Sequence, residues 1–150
     1  EGSVPLFSGN TAGPFAYVDT ADYDVPCLSW VIDGLAGYIM AHSTAFSATN
    51  HRGILLPKTS VIDLQYARFV LEPIFRSAKK GRVGENGENE YTSLPPFMVQ
   101  TLQIPVPVDS EGKISLSAQK EIADKYLTIE QCRQDVVSKL DGLISQKLSI

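Results

Sequence analysis

The stretch SAQKEIADKYLTIEQCRQDVVSKLDGLISQKL, residues 117–148, decides the fold. Its apolar residues Ile122, Tyr126, Ile129, Val136, Leu140 and Leu143 fall at steps of 4, 3, 7, 4 and 3. That spacing keeps one face of an α-helix apolar, as a heptad seam broken once by Arg133. Ser117 is expected to cap the helix, with Glu121 near the positive end of its dipole. From Ser117 to Leu148, 32 helical residues would extend roughly 48 Å. Gly142 costs about 1 kcal/mol relative to Ala, so the last turns can fray or bend there. A stripe this long cannot be buried on one small domain. It requires a partner helix, from an identical chain or from a sister half.

Upstream of the helix the periodicity shortens. The first 20 residues read as a short strand, a turn-rich loop through Ser8–Pro14 and a second short strand. Cys27–Ile32 is apolar and β-branched, Asp33–Gly37 makes a turn and Tyr38–Ala41 returns, which is a hairpin. Ala45–Ala48 and Gly53–Leu56 read as further strands around the polar connection Thr49–Arg52. From Ile62 to Ala78 the period changes to three and four, predicting an amphipathic helix that starts near Asp63 and that Pro73 bends or splits. Lys79–Asn89, with three glycines and mixed charge, reads as a mobile surface loop. Leu102–Val108 reads as an edge strand or an extended exit from the domain.

At 150 residues, 43% hydrophobic and 20% charged, the chain has the balance of one globular domain. No apolar run approaches the roughly 20 residues needed to span a bilayer. The chain opens on Glu1 without a recognisable leader, so a trimmed piece of a longer protein is expected, working in the cytoplasm. Cys27 and Cys132 are too few for a disulfide framework and are expected to be reduced. The net charge is −4, and all of it lies ahead of the helix: residues 1–114 hold 8 Lys and Arg against 12 Asp and Glu, and residues 115–150 hold 5 against 5. A free-standing nucleic-acid binder usually carries the opposite excess.

Catalytic and metal chemistry find little support. His42 and His51 are the only histidines and no Cys stands at zinc-ligand spacing, so no metal or cofactor is expected. Cys27 or Ser29 with a histidine would be the candidate nucleophilic pair, but Cys27 lies in an apolar strand that suits a buried structural thiol. Asp19, Asp22 and Asp24 suit turns and caps better than a metal. Arg76, Lys79, Lys80 and Arg82 form the one concentrated basic run, either a solvated helix end or a set of phosphate contacts. Ser43, Thr44, Asn50, His51 and Arg52 occupy polar connections and carry the groups that read base edges. Ordinary loop polarity explains them equally well. From these residues alone the chain is a mixed α and β domain with a protruding association helix.

Several segments, in order, resemble the specificity subunits of type I and related type IIB and IIG restriction–modification enzymes. They are Val4–Gly9, Trp30–Gly37, Thr49–Leu55, Tyr66–Leu71, Lys80–Gly84 and Ile104–Val108, followed by Gln119–Ile122 at the opening of the long helix. The resemblance covers nearly the whole chain. It implies an α+β architecture: a target-recognition domain over 1–114 and a coiled-coil spacer helix over 115–150. It further implies a non-catalytic protein that reads half of a split recognition sequence on double-stranded DNA. The partners implied are a methyltransferase subunit, a separate or fused nuclease, and an identical chain or sister half joined through Ile122, Tyr126, Ile129, Val136, Leu140 and Leu143. DNA contacts are then expected from Ser43, Thr44, Asn50, His51, Arg52, Arg76, Lys79, Lys80, Arg82, Asn86 and Asn89. The competing reading is an assembly module that docks partners through its helix without touching DNA.

Overall fold

The computed structural model describes residues 2–85 and 90–147, without the side chains of 146 and 147. In chain order it comprises β1 (Val4–Phe7), β2 (Ala16–Val18), β3 (Cys27–Val31), β4 (Asp33–Gly34), β5 (Ile39–His42), β6 (Ser47–Ala48) and β7 (Arg52–Leu55). Helix α1 (Leu64–Ala78) follows, then β8 (Lys80–Arg82), β9 (Tyr91–Ser93), α2 (Pro96–Val99) and α3 (Leu116–Lys147). The strands form three small sheets, ordered β2-β1-β6, β5-β3-β7 and β4-β9-β8. The architecture is an α+β head with a long C-terminal helix.

Strand β3 is the centre of the head, and its lack of polar alternation has a plain cause: both faces are covered. Leu28 and Trp30 enter a cluster with Ala36, Ile39, Ala67, Phe75 and Leu94 beneath α1. Cys27 joins Phe7 and Phe46 on the opposite side, where burial pushes its thiol pKa up. The Trp30 indole donates to the Leu94 carbonyl at 2.8 Å, so its one polar group is satisfied inside the core. It lies flat on β7 at Gly53, where an added Cβ would stand 2.2 Å from the ring. Antiparallel pairing of β3 with β5 (Cys27 opposite His42, Trp30 opposite Ile39) and with β7 (Val31 opposite Arg52) fixes which loops share an end of the sheet.

Asp63 caps α1 by accepting from the Tyr66 amide at 2.9 Å. Pro73 sits on the exposed side, and the helix runs through it as one 15-residue element instead of splitting. Residues 102–107 take the extended-exit form and join no sheet. The Tyr66 hydroxyl tethers this exit by donating to the Pro105 carbonyl at 2.7 Å.

Two sequence expectations need correction. The start of the Lys79–Asn89 loop is ordered structure: Lys80–Arg82 pairs with Tyr91–Ser93 as an antiparallel ladder. The cap of α3 is Ser115, whose Oγ accepts from the Ala118 amide at 3.2 Å, and not Ser117. The helix begins a residue earlier than its apolar period suggests and spans 32 residues to Lys147. Leu148 lies outside the described residues.

The first three turns of α3 are seated on the head. Gln119 is fully buried, accepting from the Asp63 amide at 2.9 Å and donating to the Val61 carbonyl at 3.0 Å. Tyr126 stacks on Phe69 with ring centroids 5.0 Å apart. Arg68 grips both carboxylate oxygens of Glu130 at 2.6 and 3.2 Å. Beyond Tyr126 the seam is bare: Ile129, Val136, Leu140 and Leu143 are 53–63% exposed.

Candidate nucleic-acid interface

Arg52, expected at a base edge, points inward and is 5% exposed. Its Nε donates to the Ser8 carbonyl at 2.7 Å, its Nη2 to the Asn10 carbonyl at 2.6 Å and its Nη1 to the Ser29 hydroxyl at 3.3 Å. Among the described residues no carboxylate pairs with it, and burial lowers its pKa to about 10, so it stays charged at neutral pH. Arg52 therefore ties the β1–β2 loop to the central sheet and is withdrawn from direct readout. The sequence could not show this, because the carbonyls that hold it lie 44 and 42 positions away.

The same polar knot answers the nucleophile question. Ser29 Oγ and His42 Nε2 lie 2.7 Å apart, but both residues are buried, and His42 stacks on Phe46 at 3.8 Å. Burial first, and then the charge of Arg52, lower the His42 pKa to about 4. A neutral imidazole sealed against an arginine is suited to holding loops in place and is closed to substrate.

Arg76 and Lys79 are also engaged. Arg76 meets both oxygens of Glu90 at 2.6 and 2.7 Å, donates to the Ala36 carbonyl at 2.7 Å and lies over the Tyr38 ring. Lys79 Nζ contacts the same carboxylate. The Glu90 side chain is 3% exposed. Its hydrogen bonds from Arg76 first, then from Lys79 and Thr92, outweigh burial and hold its pKa at about 2. These two cations are spent on a buried anion, which corrects their expected role at phosphates. Sequence reasoning missed Glu90. Its signal is slight: it is the third acid after Glu85 and Glu88, set apart only by standing directly before the β-prone pair Tyr91-Thr92.

The remaining expected contacts divide between two ends of the central sheet. Ser43 and Thr44 are exposed just past His42, at the Cys27 end of β3. Asn50 and His51 are exposed just before Arg52, at the Val31 end. A strand length separates the groups, roughly 13 Å. The β4-β9-β8 sheet adjoins the Val31 end, since β4 follows directly on β3. There His51 Nδ1 stands 3.6 Å from Asp33 Oδ2, and Asp33 Oδ1 accepts from the Ser93 hydroxyl at 2.8 Å. Lys80 and Arg82 are exposed on β8, and neither has an ion-pair partner among the described residues. Asn86 and Asn89 lie outside the described residues.

No family model matches the chain, and no curated protein matches it in sequence. Among solved structures, its fold matches the crystal structure of the S subunit of a type I restriction–modification system from M. genitalium, with a TM-score of 0.66 and 16% sequence identity. The match covers 92% of this chain and 34% of that one, so the chain spans about a third of the S subunit's length. At this identity the likeness is one of fold.

Proposed function

We propose that the chain is a sequence-specific DNA-recognition unit of a restriction–modification enzyme. As a specificity subunit, or one half of one, it directs a methyltransferase and an associated nuclease to a bipartite DNA site. The observation that carries this reading is the likeness of the whole fold, head and helix together, to an S subunit. The bare apolar face of α3 past Glu130 supports it, because such a face needs a second helix. In this reading the head, residues 1–114, touches DNA, and residues 115–150 hold it at a set distance from a second head. The partner helix comes from an identical chain or a sister half, meeting Ile129, Val136, Leu140 and Leu143, with Ile122 and Tyr126 nearer the head. A two-fold pair would read a palindromic split site. Asn50, His51, Lys80 and Arg82 contact the duplex directly, and Ser43 and Thr44 belong to a separate contact. Asn86 and Asn89 keep their sequence-based role as base readers. The chain itself does no chemistry.

A second reading has one observation in its favour. The head is acidic, 8 cationic residues against 12 anionic, which suits an assembly module that never meets phosphate. Under the first reading, the methyltransferase subunit completes the positive clamp.

Mapping genomic methylation in the source cell with and without this gene tests the proposal. The expected result is that one split motif loses its methylation when the gene is deleted. Retention of every methylated motif would refute the DNA-reading role. A gel shift with the methyltransferase present separates the two readings, since the assembly module forms no additional DNA complex.

A further inference from the structure

Resting on that reading, we infer that the outer face of the β4-β9-β8 sheet is the head's duplex-contact surface, with Tyr91 as a contact residue alongside Lys80 and Arg82. The pairing register builds this face. Lys80, Ser93 and Asp33 stand opposite one another across the three strands, and Arg82 stands opposite Tyr91. Cross-strand partners share a face, so these side chains project together. The intervening row is Gly81, Thr92 and Gly34, and Thr92 is buried against the head, giving its hydroxyl to Glu90 and accepting from the Ala36 amide. One side of the ribbon is therefore anchored and the other is free. Tyr91 is 67% exposed on the free side.

The chemistry of the face favours nucleic acid over a protein helix. Beneath it, Arg76 and Lys79 neutralise Glu90, so the anion in the anchor does not cancel the two cations in front. Among the described residues Lys80 and Arg82 have no carboxylate partner, and they stand beside an aromatic ring with a hydroxyl and a serine hydroxyl. His51 joins the edge through Asp33. Asp33 here and the exposed Glu85 just beyond β8 make the face a mosaic, suited to a few base-edge and phosphate contacts more than to a long phosphate track. Its β8–β9 pair is a two-stranded ribbon, the kind of element that a major groove admits.

The test uses the full chain with Lys80→Gln/Arg82→Gln, Tyr91→Ala, or Lys58→Gln as a control. Lys58 is an exposed cation past β7, at the opposite end of the central sheet. The probes are a labelled 40-bp mixed-sequence duplex and the matching single strand, titrated across salt concentrations. The double variant should flatten the dependence of log affinity on log salt by about 0.9 for each lost phosphate contact. Tyr91→Ala should weaken duplex binding about tenfold with the slope unchanged, and Lys58→Gln should behave as wild type. All four side chains are exposed, and unchanged melting temperatures exclude misfolding. If the wild type binds the duplex and these variants bind equally well, this face is not the contact surface, while the DNA-reading role stands. Tighter binding to the single strand than to the duplex overturns the assignment to duplex. If the wild type binds no duplex at all, and deleting the gene erases no methylation, both this inference and the proposed function fall.

Discussion

Helix α1 lays Ala67 and Phe75 against the central sheet, turns Tyr66 to the Pro105 carbonyl and Phe69 to Tyr126 of α3, and leaves only Pro73 and Ser77 exposed. Helix α3 is twice as long, buries Gln119 and Ala123 on the head, and then carries Val136, Leu140 and Leu143 into solvent. Both have an amphipathic pattern. The difference is where the complementary surface comes from: α1 finds it upstream in β3 and β5, whereas the outer half of α3 has none among the described residues. An apolar stripe shows that a face will be covered and leaves open by whom.

The sharpest form of that contrast is a pair of truncations read by denaturant unfolding. Phe75→Ala should cost about 3–5 kcal/mol, because the ring is enclosed by Trp30 and the α1 cluster and leaves a cavity that cannot collapse. A loss below about 1 kcal/mol would mean that α1 is not seated as described.

Next in size is the charge cluster that pins α1 to β9. Glu90→Gln leaves Arg76 and Lys79 crowded without a counter-charge and should cost about 3 kcal/mol. Because the fold lowers the Glu90 pKa from 4.5 to about 2, its contribution is complete above pH 4.5 and drains away as pH falls through 2. The wild type should lose this increment on acidification, and Glu90→Gln should already lack it at pH 7. Unfolding free energies measured from pH 7 to pH 2 check both points. An equal acid slope in the two proteins would remove Glu90 from the account.

His42 occupies a separate window. Its pKa falls from 6.5 to about 4 in the fold, so its share of stability is whole above pH 6.5 and disappears as pH drops through 4. There the imidazolium would be forced against Arg52. The expected loss is about 3 kcal/mol, and His42→Gln, which keeps a hydrogen-bonding group near Ser29, should flatten this part of the curve. If the variant retains the slope between pH 6.5 and 4, another group is responsible.

These clusters also mark where the sequence stops being readable. The period of α3, the Asp63 cap and the β3–β5 hairpin follow from local spacing, and the structure has them. Arg52, Arg76 and Lys79 look like free surface cations because each stands beside a turn or a helix end. What turns them inward is remote in sequence: the carbonyls of Ser8 and Asn10 for Arg52, and Glu90 for the other two. Lys80–Arg82 reads as loop because of the neighbouring glycines, and becomes a strand because Glu90 fixes β9 beside it. Local pattern gives the elements, and long-range polar pairing decides which charges remain available to a partner.

The smallest effect completes the comparison between the helices. In a lone chain, Leu140→Ala removes a side chain that is 53% exposed, so the unfolding free energy should move by no more than about 0.5 kcal/mol. In the assembled protein the same change empties a seam position and should cost several times more, appearing as a dissociation constant raised at least tenfold. Sedimentation across a dilution series, with and without the partner subunit, reads both quantities. Arg133→Leu probes the seam from the other side: filling its polar break should make the chain self-associate more strongly, because an arginine at an inward position opposes pairing with its own copy. If Leu140→Ala destabilises the lone, monomeric chain as much as Phe75→Ala does, then the outer half of α3 is packed on its own head, and the contrast between the two helices disappears.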